Sequence, residues 1–159
     1  MATTRHIAFI GAPSSTLRLS WLKSAESVNA VESVCVMLIA AFGILTVAVL
    51  LGSVLAVLHL QTEGREPPPW SLAALHGLFA IGGLGCLALA LRGPPRGLDQ
   101  GSASFGTIAT TLITLAALVG IAFLATRVFK RRVTGIMIGI HVTLAVSGFV
   151  ILAAYVFAG

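Results

Sequence analysis

Residues 34–60 read VCVMLIAAFGILTVAVLLGSVLAVLHL, 27 consecutive positions without Asp, Glu, Lys or Arg. A helix rises about 1.5 Å per residue, so about 20 residues cross the roughly 30 Å apolar core of a bilayer. The run is longer than one crossing needs, and it lacks the alternation of apolar and polar residues that marks a transmembrane barrel strand. Three more uncharged runs follow, Trp70–Leu91, Gly101–Thr126 and Val133–Gly159, of 22, 26 and 27 residues. The expectation is an all-α integral membrane protein, a four-helix up-down-up-down bundle with spans at about 34–60, 70–91, 104–129 and 133–157.

Composition points the same way. The 159 residues are 57% hydrophobic and 9% charged, with a mean hydropathy of +1.03, whereas a soluble domain carries about a quarter of its residues charged. A perimeter so poor in charge belongs in lipid, where apolar groups cost nothing and charges are expensive. The net charge of +5 sits in loops and ends. With no basic face interleaved with aromatics, it speaks for anionic headgroups and against nucleic acid.

The connections are short. Gln61–Pro69 (QTEGREPPP) ends in three prolines, which stop the first helix and leave Trp70 as an interfacial anchor for the second. Arg92–Gln100 (RGPPRGLDQ) has the Gly and Pro content of a turn, and Phe129–Arg132 leaves room only for a tight hairpin between the last two spans. Residues 1–30 stand apart as an N-terminal arm, with Arg5, Arg18, Lys23, Trp21 and Leu22 suited to a short helix on the membrane surface. The arm has no compact apolar core of a cleavable signal peptide.

Histidine carries the functional information. His6 lies in the arm, but His59, His76 and His141 lie within or at the edge of apolar spans, where ionisable residues are rare and functional. In an alternating bundle all three belong to the same membrane side. His76 is six residues past Trp70 and His141 nine past Arg132, so the two sit about 9 and 13 Å inside that boundary. Both head the same pattern, H-x-x-x-A-x-x-G: His76, Ala80 and Gly83 in one span, His141, Ala145 and Gly148 in the other. Residues four and seven on share a helical face, so each histidine leads into a groove of small side chains. His59 has Ala56 and Gly52 on its own face, deeper in the first span.

Two helices with histidines at equal depth can ligate an iron porphyrin from both sides, and bundle cores hold such cofactors. On His76 and His141 with their Ala and Gly neighbours, the chain from about Val34 onward resembles the small four-helix b-type cytochromes of the cytochrome b561-like kind. That resemblance implies an electron carrier of a bacterial inner membrane and not a stand-alone enzyme. It implies one haem b ligated by His76 and His141, His59 either behind those ligands or in contact with a quinone, and Arg65, Arg127 or Arg131 pairing the haem propionates. The partners implied are the lipid bilayer and a quinone or a larger respiratory or redox membrane complex. Such families commonly carry further histidine pairs for a second haem, which this chain lacks.

Other readings use the same residues. His59, His76 and His141 together form a three-imidazole set for copper or zinc, with Met137 one turn from His141 as a soft fourth ligand. Small residues also pack membrane helices directly, as Gly135 and Gly139 in a GxxxG illustrate, and a chain of that kind is an accessory or assembly subunit. Cys35 and Cys86 form no CxxC and read as small apolar residues. No span contains a carboxylate, and there is no nucleophile with a partner base or phosphate-binding loop.

Basic residues divide five and five between the two sides, Arg5, Arg18, Lys23, Arg92 and Arg96 against Arg65, Arg127, Lys130, Arg131 and Arg132. The cluster at 130–132 sits in a short loop between helix ends, where positive charge fixes orientation most strongly. Both termini are therefore expected outside the cytoplasm. An alkaline phosphatase reporter fused after residue 157 should be active and one inserted at residue 131 inactive; the reverse pattern would invert the topology.

Overall fold

The computed structural model describes residues 15–62, 66–93, 101–129 and 134–157, with side chains from Ser27 onward. It contains four helices, α1 Ser15–Gln61, α2 Trp70–Ala90, α3 Phe105–Val128 and α4 Gly135–Phe157, and no strand among the described residues. All four are long and apolar enough to cross a bilayer. Their boundaries follow from local chemistry. Pro67–Pro69 cannot extend α1 and leave Pro69 extended (ψ 131°) as the residue before α2. Gly101 takes φ +69°, a left-handed turn that glycine adopts freely, just ahead of α3.

The N-terminal segment differs from the expectation of a separate surface helix. From Ser15 it is continuous with α1, because no Pro or Gly interrupts the chain before Gly43. Residues 1–14, with His6 and Arg5, lie outside the described residues.

Glycine contacts give the register of the two hairpins. A β-carbon on Gly83 would lie 2.6 Å from Leu45 Cγ, and one on Gly52 2.9 Å from His76 Cε1, while Gly93 faces Val34. Ascending positions on α1 thus meet descending positions on α2. In the second hairpin Gly106 meets Tyr155, Gly148 meets Ile113 and Gly120 meets His141, again antiparallel. Phe42 of α1 stacks on Phe149 of α4 at 5.2 Å and 8°, and Gly106 of α3 touches Leu91 at the end of α2. The order around the bundle is α1, α2, α3, α4, with each helix antiparallel to its neighbours.

The core is concentrated at one end. Leu38, Ala41, Leu45, Leu87, Ala90, Ala109, Ile113, Leu152 and Tyr155 form one buried cluster at the end where α1 and α3 enter the bundle. Ala48 and Ala116 are the last fully buried positions on α1 and α3. Beyond them, towards the Trp70 end, no described side chain is fully buried. The outer faces carry exposed Leu78, Ile81, Leu118 and Val150, a perimeter matched to acyl chains. Hydroxyls on these helices cost little there, because Thr46, Ser53, Thr110, Thr111 and Thr114 each donate to the carbonyl four residues back.

Gly83 and Gly148 occupy the seams inside the hairpins. A β-carbon at Gly148 would come within 2.8 Å of Ile113 Cγ1 and 3.2 Å of the Ala109 carbonyl. Gly83→Leu and Gly148→Leu should each destabilise the bundle by about 1–3 kcal/mol through overpacking, measured as resistance to unfolding in dodecyl sulfate. Gly82→Leu, which has open space before it, is the control and should leave that resistance unchanged.

Candidate functional site

His76 and His141 come together. Their ring centres are 6.1 Å apart, with planes at 73° in an edge-on arrangement. The two rings come from diagonally opposed helices, α2 and α4, at the level where the tight core ends.

Each ring is tied to its own hairpin. The Nδ1–H of His76 donates to the carbonyl of Ala48 on α1 at 2.8 Å, and that of His141 to the carbonyl of Ala116 on α3 at 2.9 Å. A carbonyl only accepts, so the proton belongs on Nδ1 and the neutral ring keeps its lone pair on Nε2. A helix carbonyl already accepting the N–H four residues on has a second lone pair to offer. Reaching it requires the helices to approach closely, which small residues allow: Ala48 and Gly52 on α1, Ala116 and Gly120 on α3.

These sets are copies of one another. Leu38, Ala41, Leu45, Ala48 and Gly52 of α1 each lie 68 residues before Gly106, Ala109, Ile113, Ala116 and Gly120 of α3. His76, Ala80, Gly83, Leu87 and Ala90 of α2 each lie 65 residues before His141, Ala145, Gly148, Leu152 and Tyr155 of α4. Paired positions make paired contacts: His76 with Ala48 and Gly52, His141 with Ala116 and Gly120, Gly83 with Leu45, Gly148 with Ile113. The two hairpins follow one pattern of residues and contacts, and the histidine pair lies where they face each other. The sequence reading found half of this repeat, in α2 and α4. The partners Ala48, Ala116 and Gly120 escaped it and Gly52 was assigned to His59, although two A-x-x-x-G segments at one offset were the available signal.

The other expected residues fall elsewhere. Ala80 and Ala145 are half-buried one turn from their histidines. Gly83 and Gly148 are filled by Leu45 and Ile113 and so belong to the hairpin seams. His59 is half-buried in the last turn of α1. No three His, Cys, Asp or Glu side chains converge on a common point among the described residues, so the three-imidazole set for copper or zinc is not assembled. Arg65 and Arg131 lie outside the described residues. Cys35 and Cys86 are half-buried free thiols.

Arg127 is engaged at the open end of the bundle. Its Nη1 donates to the carbonyl of Pro68 at 3.0 Å, and its guanidinium lies 5.0 Å from the centre of the Trp70 ring. It clamps the end of α3 to the start of α2. By the 68-residue offset its counterpart on α1 is His59, and the counterpart of Trp70 on α4 is Gly135, so these positions make no equivalent clamp among the described residues.

No protein-family model, curated protein or solved structure matches the chain.

Arg127→Ala should lower resistance to unfolding in dodecyl sulfate by about 1 kcal/mol, the combined order of one hydrogen bond and one exposed cation–π contact. Lys in its place should not restore the loss, because a point charge lacks the planar fork that stacks and donates together.

Proposed function

We propose that the protein is a membrane electron carrier that holds one b-type haem between His76 and His141. The observation that carries this reading is the pair of imidazoles, 6.1 Å between ring centres, each with Nδ1 committed to a carbonyl and Nε2 left as the base. Two imidazoles bound end-on to one metal at about 2 Å each have ring centres roughly 6 Å apart. Metal-binding histidines characteristically donate their other ring N–H to a backbone carbonyl or carboxylate, which fixes tautomer and orientation.

The donor set fits haem iron better than a naked ion. Two imidazole nitrogens with no convergent carboxylate or thiolate among the described residues leave a divalent metal short of the four ligands it prefers, whereas a porphyrin brings four nitrogens of its own. The described side chains beyond Ala48 and Ala116 are at most half-buried, and a large apolar ligand on the histidine side would cover them. Gly83 and Gly148, packed within their hairpins, are not counted among the groups that would line it.

The chain's part is to place and tune. Ala48 and Ala116 orient the imidazoles through their carbonyls and raise their basicity as ligands. The two hairpins supply one ligand each, so binding joins them. Arg127, at the end of α3 with donors beyond the one given to Pro68, would meet a haem carboxylate at that surface. When bound, haem would supply one-electron redox chemistry, and a quinone or a partner redox protein is the exchange partner proposed for it.

Protein produced with ample haem supply should purify with about one haem per chain, and dithionite should give the sharp reduced bands of a six-coordinate b haem. The double variant His76→Ala with His141→Ala should be colourless while still inserting in the membrane, and His6→Ala should retain the spectrum. A colourless wild type would overturn the reading and favour an accessory subunit; full haem in the double variant would overturn the ligand assignment.

A further inference from the structure

We infer that the two halves of the histidine site are unequal, Gly52 being the positioning residue that locks the His76 ring, while His141 is the ring with freedom to move. A β-carbon at position 52 would lie 2.9 Å from Cε1, 3.3 Å from Nδ1 and 3.8 Å from Nε2 of His76. The ring is laid across the backbone of α1, and only glycine leaves room for it. At the equivalent position 120 a β-carbon would lie 3.5 Å from Cε1 and 4.0 Å from Nδ1 of His141. That is ordinary van der Waals contact, so an alanine there fits.

A second difference lies beside the rings. Phe123 stands 5.2 Å from His141 at 58°, and its counterpart on α1 by the 68-residue offset is Leu55. The wall of His76 at Gly52 is main chain within a helix, which does not yield. His141 lies farther from the main chain at Gly120 and beside the tilted ring of Phe123, a side chain that can turn about its own torsions. Both rings keep the same carbonyl bond, 2.8 Å and 2.9 Å, so the inequality lies in steric freedom and not in hydrogen bonding. His76 is the fixed reference of the site, and adjustment to any ligand falls on His141. Its consequence for haem rests on the function proposed above: His76 sets the position of the iron, and crowding at Gly52 costs more affinity than crowding at Gly120.

The test has two arms. In haem-free protein labelled with 15N-histidine, wild-type His76 and His141 should both give the shifts of a ring protonated at Nδ1. Gly52→Ala should move the His76 signals towards the tautomer average, whereas Gly120→Ala should move those of His141 far less. Gly43→Ala, a change in the same helix facing open space, controls for a glycine replacement in α1. In haem-loaded protein Gly52→Ala should lower haem affinity roughly tenfold, the order expected of an overpacked contact, with a smaller loss for Gly120→Ala. Equal tautomer shifts in the two variants, or none at His76, would overturn the inference. A colourless wild type would overturn the haem reading alone, since the first arm needs no haem.

Discussion

An imidazole within an apolar span needs an acceptor for its proton, and among packed helices the nearest is the spare lone pair of a backbone carbonyl. That one bond, from Nδ1 of His76 to Ala48 and again from Nδ1 of His141 to Ala116, sets the terms for the rest of the structure. An unmet donor there costs about 1–3 kcal/mol even in a water-bathed protein and more in hydrocarbon. Reaching a carbonyl on a neighbouring helix forces the backbones together, so α1 and α3 must present Ala and Gly at that level. The same close approach continues down each hairpin, where Gly83 receives Leu45 and Gly148 receives Ile113.

Because the device occurs twice, the protein is best understood as a duplicated hairpin. Each copy satisfies its own histidine, and neither copy contains a site by itself. The two rings meet only where the hairpins face each other, with their centres 6.1 Å apart across the α2–α4 diagonal. Departures from the repeat then become informative. Arg127 with Trp70 closes one edge of the open end, while His59 and Gly135 stand at the other. Phe42, Phe149 and Phe157 pack together between α1 and α4 near the sealed end, where the repeat places Thr110, Leu84 and Arg92 on the other side. The two hairpins share their histidines and most of their small residues and differ at the edges and at the Leu38/Gly106 and Ala90/Tyr155 positions.

Much of the fold was legible because lipid makes a simple demand. Charge is excluded from the interiors of the spans, so Glu66, Arg92 and Arg127 mark their ends as plainly as Pro67–Pro69 do. The equal depth of His76 and His141 was legible for the same reason, since helical rise converts residue number into height. The role of Gly83 and Gly148 was not. Helical spacing sets them on the side of their histidines but does not say whether that side faces across the bundle or into its own hairpin, a matter of two helices and not of one. The extent of α1 was missed because the surface-active look of Trp21, Leu22 and Lys23 suggested a separate helix, whereas the unbroken run without Pro or Gly kept it joined. Ala48 and Ala116 carry no chemistry in their side chains, and helical spacing ties Gly52 to His59 on its own helix, so only alignment of the chain on itself pairs them with the right histidines.

The most direct measurement on the account is electron paramagnetic resonance of the oxidised protein, because it reads axial ligands and their relative orientation together. Imidazole planes at 73°, preserved about one iron, predict the strongly anisotropic low-spin ferric signal of near-perpendicular bis-histidine ligation. A purely high-spin signal, or none from protein made with abundant haem, would contradict the claim that the two hairpins deliver His76 and His141 to a single iron.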